Sequence, residues 1–482
     1  MLEKIEVRWF YLVALSVLGI SLFFLSKEMY FIAALPLMLV VLYLFVFRLD
    51  LILYTVVLTT PLAIVINNKT TGPAVSVPTE PLLFGLLLLT VYKLLFEGRF
   101  DKRILAHPVS IAIAVLLGWM FITSLSSSYP VVSFKYLLSQ CWLILPVYLM
   151  GTQLFRKIKN IKTFIWLYAS TLMIVIAYTI IRHAMYGWTQ KAAHSVMWPF
   201  YNDHTAYAAA IALFIPVFIS FTRDRSAELS NKLISFFTLL ILSIAMILSY
   251  TRAAWISLFI AALVYLIFHF RIRFYKVAIL GLSVLAVFLY FRTDIMLRLE
   301  QNRQDSATDM SKHLKSISNI STDASNLERI NRWSAALRMF EERPLQGWGP
   351  GTYQFNYAPY QKSSEKTIIS TNAGDMGNAH SEYIGPLSEQ GVPGLITILS
   401  LVIAVFYTGT VLYSSHIDPA HKNLLLGILL GLVTYFAHGI LNNFLDTDKL
   451  AVPVWGFISI IVSLDVYHRK ASPEKFSGFS KN

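Results

Sequence analysis

The chain has 482 residues, of which 56% are hydrophobic and only 14% are charged, and its formal net charge is +13. Soluble domains carry about 25% charged residues, and the mean hydropathy here is +0.60. This composition excludes an ordinary soluble protein and indicates an integral membrane protein. The single cysteine, Cys141, excludes an internal disulfide framework and a cysteine-based metal site. Its apolar surroundings are typical of a small buried side chain.

Apolar runs long enough to span a bilayer recur along the whole chain. They predict an all-α, polytopic integral membrane protein with about 12–14 transmembrane helices of about 20 residues each. The run at 134–154 is the most polar, and the run at 50–67 is interrupted by Pro61. The predicted spans are 9–26, 29–47, 50–67, 80–97, 107–125, 134–154, 162–184, 204–222, 233–250, 252–270, 274–291, 385–414, 422–442 and 450–468.

A polar interval at 292–384 separates the late spans from the earlier ones. A connection of this length is far longer than usual and is typically functional. The predicted organisation is an N-terminal helix bundle at 1–291, an external loop at 292–384, C-terminal helices at 385–471 and a tail at 472–482.

The loop contains local signals of its own. Ser325 to Glu328 fits a capping box, apolar residues follow at helical spacing, and Pro344 predicts the end of that helix. The stretch 301–324, rich in Ser, Asp, Asn and Lys, is expected to be mobile. Residues 347–351 read Gly-Trp-Gly-Pro-Gly, which predicts a turn rather than a phosphate loop, because the Gly-Lys-Ser/Thr ending is missing.

Lysine and arginine concentrate in every second short loop, which predicts the orientation of the chain. Both termini are expected in the cytoplasm and the 292–384 loop outside. The positive charge therefore reports topology, and no nucleic-acid partner is expected. The basic loops include Lys4/Arg8, Arg99/Lys102/Arg103, Arg156/Lys157/Lys159 and Arg271/Arg273/Lys276, whereas the opposite loop at 126–130 carries no basic residue.

Two residues at the expected outer face could carry chemistry. His380 lies where the loop meets the next span, and a histidine there can act as a general base. A solvated histidine at the membrane interface is the alternative. Arg252 lies where two apolar spans meet almost without a loop, a costly place for a cation and therefore a candidate functional position. A snorkelling arginine at a helix end is the alternative there.

Arg329 and Arg332 begin the predicted loop helix, where basic groups oppose the helix dipole. They suit a site for an anion, although a solvated helix face explains Arg332 equally well and is preferred for Arg338 and Arg343. Asp446 and Asp448 are interpreted as a structural turn. The sequence contains no metal-binding signature, so neither a metal nor a cofactor is expected.

Four motifs in order resemble the O-antigen ligase family, whose superfamily also holds O-antigen polymerases and protein O-oligosaccharyltransferases. They cover 199–395, and their order and spacing match. They are Pro-Phe-Tyr-Asn-Asp-His at 199–204, Leu-Ser-Tyr-Thr-Arg at 248–252, Glu-Arg-Ile-Asn-Arg-Trp at 328–333 with Pro-Leu-Gln-Gly-Trp-Gly-Pro-Gly at 344–351, and Asn-Ala-His-Ser-Glu-Tyr at 378–383 with Glu-Gln-Gly-Val-Pro-Gly-Leu at 389–395. Family members usually have about 12 spans, fewer than the fourteen runs counted here.

The resemblance implies a glycan donor linked to undecaprenyl diphosphate and, for a ligase, lipid A–core as acceptor. It implies that His380 is the essential histidine and that Arg252 and Arg329 are catalytic arginines that stabilise the leaving diphosphate. Glu382 or Glu389 is the expected partner that orients His380. Outer-face aromatic residues such as Trp188, Trp198 and Tyr201 are expected to stack on sugars. The expected substrate-binding residues are Asn202, His204, Arg332, Asn378, Glu382 and Glu389.

Three alternatives remain at this stage. A polymerase or a protein O-oligosaccharyltransferase would use the same donor and differ in the acceptor, another glycan or a protein. A secondary transporter, from a different class, would place ionisable residues near the middle of its spans. Here the charged residues gather at one face and in one loop, which favours surface chemistry. The family resemblance implies the inner membrane of a bacterium, with the 292–384 loop in the periplasm.

Overall fold

The computed structural model describes residues 15–66, 75–98, 100–272, 283, 286, 290–291, 327–367, 370, 377–415 and 417–469. The described residues are mostly helical, and ten helices are long and apolar enough to cross a membrane. These ten are α4 (Thr79–Glu97), α5 (Pro108–Leu125), α6 (Pro130–Leu154), α7 (Ile158–Met185), α8 (His204–Thr222), α9 (Leu229–Leu248), α10 (Arg252–His269), α12 (Ile384–Ser414), α13 (Pro419–His438) and α14 (Asp448–His468).

Further helices precede and separate these spans. They are α1 (Leu15–Ser26), α2 (Tyr30–Phe47), α3 (Leu49–Thr59) and the loop helix α11 at 327–342. Short turns of helix lie at Thr60–Leu62, Lys102–Leu105, Gln190–Ala193, Tyr353–Asn356 and Ala358–Tyr360.

The predicted polytopic all-α fold is confirmed, and each of the ten long helices coincides with a predicted span. The polar run at 134–154 lies within α6, where Gln140 is buried. The predicted span at 274–291 and the predicted mobile stretch at 301–324 lie almost wholly outside the described residues. The loop helix α11 ends at residue 342, two residues before Pro344, while the Ser325 cap position lies outside the described residues.

A small antiparallel hairpin follows α3 and was not predicted. Its strands β1 (Ile64–Ile66) and β2 (Val75–Val77) pair Ile64 with Val77 and Ile66 with Val75. Pro61 cannot donate a backbone hydrogen bond, and the predicted span at 50–67 accordingly leaves the helix at Thr60. The span thus becomes a shorter helix followed by a hairpin.

The first turn of α14 holds this hairpin in place. The Lys449 ammonium group donates to the carbonyl oxygens of Thr60 and Ala63, at 2.6 Å each, and the Ser76 hydroxyl donates to Asp448 at 2.8 Å. A buried ammonium group needs such acceptors, because its charge is otherwise costly away from water. Two segments that are distant in sequence are therefore joined at one end of the bundle.

Helices α8 and α14 form the centre of the bundle. Both are far more buried than the other long helices, with 83% of the membrane-spanning window inside the protein. Helix α8 packs against α9, α10 and α13, and α14 packs against α6 and α12. Alanines at 206, 208–210 and 212 allow neighbouring helices to approach α8 closely.

The loop helix α11 is attached to the bundle through a small apolar cluster of its own. The cluster contains Ala336 and Met339 from α11, Tyr353 and Tyr357 from the following segment, and Ala379 beside His380. Helix α12 follows directly, and its backbone is kinked at Gly391, where φ is 71° and ψ is −168°. The cluster places α11 directly against the start of α12.

Candidate active site

His380 lies in a short segment, residues 377–383, that leads into α12. Its φ is +46°, in the left-handed region that non-glycine residues seldom adopt. The His380 N–H donates to the Asn378 side-chain oxygen at 3.1 Å, and the Ser381 hydroxyl accepts the backbone N–H groups of Tyr383 and Ile384. Such a backbone persists where the surrounding structure fixes it, and it is often found at functional sites.

Arg332 joins the loop helix to this segment. Its Nε atom donates to Glu328 at 2.9 Å, and its Nη1 atom donates to the Asn378 carbonyl oxygen at 3.2 Å. The Arg332 and Glu328 side chains are only 9% and 5% exposed. The guanidinium group also lies 5.8 Å from the centre of the Tyr357 ring. Arg332 is therefore a fixed, desolvated cation rather than a solvated one.

Arg329 lies one turn earlier on α11 and reaches the other side of the site. Its Nε atom donates to the carbonyl oxygen of Leu441, just after α13, at 3.2 Å. Burial lowers the pKa of Arg329, and the Asp203 carboxylate opposes this shift. Asp203 itself caps α8 by accepting the N–H groups of Thr205 and Ala206, at 2.7 and 2.9 Å.

Four charged groups therefore act on the His380 imidazole: Arg329, Arg332, Asp203 and Glu328. We call these residues together with His380 the His380 cluster. Burial, assisted by the two arginines, lowers the pKa of His380 from 6.5 to about 4. The imidazole is consequently neutral at pH 7 and able to accept a proton.

His204 and Arg252 lie at the edge of this cluster. The His204 ring stacks on His194 with centroids 4.2 Å apart, and the Thr251 hydroxyl donates to the His204 carbonyl oxygen at 3.3 Å. The next residue, Arg252, begins α10 with an exposed side chain. The structure therefore brings the backbone before Arg252 to the site, while the Arg252 side chain is exposed.

Two further titratable residues, Asp203 within the cluster and His438 close to it, were not among the site residues predicted from the sequence. Asp203 caps α8 within the 199–204 motif, where the residues selected from sequence were its two neighbours. His438, at the end of α13, is 1% exposed, and neither ring nitrogen has a hydrogen-bond partner within the described part of the chain. Its ring lies within electrostatic range of Arg329 and Asp203. An aspartate at a helix cap is a recognisable signal for Asp203. For His438 the signal is an ionisable residue within a predicted apolar span, where it is the clearest such residue of the chain.

Glu382 and Glu389, expected to orient His380, are hydrogen-bonded elsewhere. One Glu382 oxygen accepts the Tyr435 hydroxyl at 2.5 Å and the Phe444 N–H at 2.7 Å. The Glu389 oxygens accept the N–H groups of Gly351 and Tyr353, at 2.9 and 2.8 Å. These carboxylates hold backbone segments in position beside the site.

The predicted turn at 347–351 is present and is held by Glu389. We call residues 347–351 with Glu389 the glycine anchor. The Glu389 carbonyl oxygen accepts the Gly349 N–H at 2.7 Å, and the Trp348 carbonyl oxygen accepts the Ser128 N–H at 3.0 Å. At Gly347, where φ is +65°, an added Cβ would lie 2.2 Å from the Glu389 carbonyl carbon. Only glycine fits this contact.

The remaining candidate residues from the sequence differ in their exposure to solvent. Asn202 is exposed, and Trp188 and Trp198 are 46% and 63% exposed. Tyr201 is 1% exposed, so the expectation that it stacks on a sugar is wrong: the ring is packed inside the bundle, 5.5 Å from the Lys449 ammonium group. Asp446 and Asp448 bond to Asn443 and Ser76, as expected of a structural turn.

Among the residues that the structure describes, no group of three or more His, Cys, Asp or Glu side chains is arranged to hold a metal ion. The positive charge in the His380 cluster comes from the arginines Arg329 and Arg332. These can stabilise a negatively charged leaving group through fixed, forked hydrogen bonds.

Residues 234–399 match the family model described as O-antigen ligase. This confirms the resemblance for the motifs that lie in that range, which contains Arg252, Arg329, Arg332 and His380. The motif at 199–204, with Asp203, lies outside the match. No curated protein matches the chain. The matched domain and the helices together identify a membrane enzyme of the glycan-transferring kind.

Proposed function

We propose that this member of the O-antigen ligase family transfers a glycan from undecaprenyl diphosphate to a hydroxyl group of lipid A–core, at the periplasmic face of the bacterial inner membrane. The observation that carries the proposal is the His380 cluster: a neutral imidazole flanked by two partly desolvated arginines where the loop meets the bundle. The alternation of basic loops supports the periplasmic position and the cytoplasmic termini.

Arg329 and Arg332 are the groups best placed to hold the donor diphosphate. Both belong to α11, one turn apart, and both act electrostatically on His380. A guanidinium group donates two parallel hydrogen bonds to phosphate oxygens and stays charged even when it is buried. Arg252, exposed at the start of α10, supplies a further cation to a diphosphate that enters from the membrane side.

His380 acts as the general base in this mechanism. The imidazole takes the proton of the acceptor hydroxyl while the acceptor oxygen forms a bond to the anomeric carbon of the donor. The bond from that carbon to the diphosphate oxygen breaks, and undecaprenyl diphosphate leaves with the electron pair. Because attack and departure occur on opposite faces, the anomeric configuration is inverted, and the arginines stabilise the charge that develops on the leaving group.

A transfer assay with purified protein in detergent tests the proposal. The donor is an undecaprenyl-diphosphate glycan, and the acceptors, in separate reactions, are lipid A–core, a second lipid-linked glycan and a peptide. Product with lipid A–core supports the ligase. Product with only the second glycan or only the peptide replaces it with the polymerase or the protein O-oligosaccharyltransferase.

Transport is the outcome that would remove the enzymatic proposal altogether. If no acceptor receives a glycan, and proteoliposomes move the lipid-linked donor across the bilayer, the protein is a carrier. The clustering of charged groups in one loop and at one end of the bundle favours transfer over transport, since carriers bind near the middle of their spans.

A further inference from the structure

A polar cavity lies beside the segment 377–383 that carries His380. It has a volume of about 370 Å³ and is bounded by α5, α6, α12, α14, the segment between α13 and α14, and the loop residues that follow α11. Asn378, Ala379 and Ser381 are part of its wall, whereas His380 is not. We call this space the inner cavity. The His380 segment therefore separates it from the arginines of the His380 cluster.

The residues that line the inner cavity exclude two of the expected ligand parts. None of the described lining residues is a lysine, arginine or histidine, and three are carboxylic acids, so no side chain there compensates the charge of a diphosphate. A polyprenyl tail would displace water from the polar groups there without forming hydrogen bonds to them, which is costly. These polar groups are Gln140, Glu382, Glu389, Gln390, Asn443 and Asp446.

Some of these groups lack hydrogen bonds. Among the described residues, the Gln390 Oε1, Asn443 Oδ1 and Trp455 Nε1 atoms have no partner. Gln390 and Trp455 are only 2% and 1% exposed. A buried polar atom left unpaired costs about 1–3 kcal/mol, and this set offers both acceptors and a donor. A ligand that donates and accepts hydrogen bonds would satisfy them.

Apolar side chains complete the lining. Leu116, Met120, Ile144 and the Trp455 ring lie among the polar groups. Sites of about 300–1,000 Å³ that combine apolar walls with a few polar groups are typical of small-molecule binding. A sugar ring has this dual character, with C–H faces and hydroxyl edges. The Glu382 and Glu389 carboxylates already accept backbone N–H groups, which makes a cation a poorer fit.

We propose that the inner cavity binds one uncharged sugar unit of a glycan substrate. The inference rests on the proposed function, because it places a carbohydrate site next to the diphosphate site, on the opposite side of the His380 segment. The sugar belongs either to the acceptor or to the donor glycan. Both share the chemistry that the cavity recognises, and a binding experiment distinguishes them.

The test uses two variants of cavity residues and one control variant on α6, the helix that carries Ser139. Ser139→Phe places a phenyl ring at the wall of the inner cavity, and Gln390→Leu removes the unpaired Oε1 atom with little change in side-chain volume. Leu138→Phe places the same ring on the neighbouring residue, whose side chain is 44% exposed at the bundle surface. Thermal unfolding in detergent establishes that each purified variant is folded.

Three probes are bound to wild type and to each variant in nanodiscs: delipidated acceptor oligosaccharide, undecaprenyl-diphosphate glycan, and undecaprenyl diphosphate without sugar. We expect both cavity variants to lose at least about tenfold in affinity for one glycan probe, equivalent to about 1.4 kcal/mol. The affinity for undecaprenyl diphosphate should be unchanged, and Leu138→Phe should bind all three like wild type. The probe that is lost identifies the source of the sugar.

Several results would overturn the inference. These are unchanged binding of both glycans by Ser139→Phe and Gln390→Leu, an equal loss for undecaprenyl diphosphate without sugar, or no glycan binding by the wild type. Failure of the proposed function gives a different result in a different assay. The wild type would then transfer no glycan to any acceptor, whether or not the cavity binds sugar.

Discussion

The His380 cluster and the glycine anchor lie at the same junction of loop and bundle, yet they use charged residues in opposite ways. In the anchor, the Glu389 carboxylate is bonded to the backbone N–H groups of Gly351 and Tyr353. In the cluster, Arg329 and Arg332 act electrostatically on the neutral imidazole of His380, a residue whose backbone is in the left-handed region. The Glu389 carboxylate holds two backbone segments together, whereas the two arginines, although each also donates to a backbone carbonyl oxygen, act together on one titratable ring.

The largest expected effect follows from removing the imidazole. His380→Ala should lower the single-turnover rate of transfer by about 10²–10⁴-fold, the usual range for general acid–base catalysis. Donor affinity should remain close to wild type, because the base acts on the acceptor. Wild-type turnover, or a defect confined to donor binding, would remove His380 from the role of base.

The arginines should affect binding as well as rate. Arg329→Ala should weaken donor affinity by roughly ten- to hundredfold, since a hydrogen bond to a charged group contributes about 1.5–3 kcal/mol. Arg329→Lys should recover only part of this, because an ammonium group cannot form the fork.

Arg338→Ala is the matched control, because this arginine belongs to the same helix but pairs with Glu365 at 2.6 Å. Donor affinity, measured for all three variants and normalised to folded protein, decides the question. Equal affinities for Arg329→Ala and Arg338→Ala would contradict the assignment of Arg329 to the diphosphate.

Substitution in the glycine anchor should lower the stability of the protein rather than its affinity for the donor. Gly347→Ala should lower the free energy of unfolding by about 1–3 kcal/mol from backbone strain alone, and by more because the new Cβ overlaps the Glu389 backbone. The folded fraction should bind donor normally. Gly118→Ala, in α5 with no atom within 4 Å of the added Cβ, is the control. If Gly347→Ala unfolds at the wild-type temperature, the anchor is not a structural contact.

The pH dependence tests the electrostatics of the cluster. With the pKa of His380 at about 4, the neutral base persists at neutral pH and is lost as the pH falls through 4. The acid limb of kcat/KM should therefore lie near pH 4. A bound diphosphate offsets the two arginines and raises the pKa of His380, so the acid limb of kcat should lie at higher pH. Coincident limbs would contradict this arrangement.

Chelation should have the smallest effect. Because Arg329 and Arg332 supply the positive charge, we expect the rate of transfer to be the same with and without EDTA. Loss of activity that Mg²⁺ or Mn²⁺ restores would show that the diphosphate is held differently, and would direct attention to Asp446 and Asp448.

Features encoded in local sequence were predictable. The length of the apolar runs predicted the ten long helices, and Pro344 predicted the end of α11. The motifs placed His380, Arg329 and Arg332 in one region of the chain, and the structure brings these three together.

Features that depend on distant contacts were not predictable. Lys449 bonds to the carbonyl oxygen of Thr60, 389 residues away, and this contact helps to hold a hairpin where a longer span was expected. Glu389 is drawn to the backbone of the glycine anchor, and Asp203 reaches the His380 cluster only because α8 packs at the centre. No local pattern reveals which partner a buried carboxylate will find.

The position of α14 has a consequence for assembly in the membrane. This helix is among the most buried of all, yet it follows in the chain every helix that it contacts. During synthesis the earlier helices enter the bilayer without the element that fills the space between them. They remain without the contacts that α14 supplies, such as the Asp448 partner of the Ser76 hydroxyl, until α14 inserts among them. Ribosomes stalled before residue 448 should therefore present an open bundle that membrane chaperones and proteases can recognise.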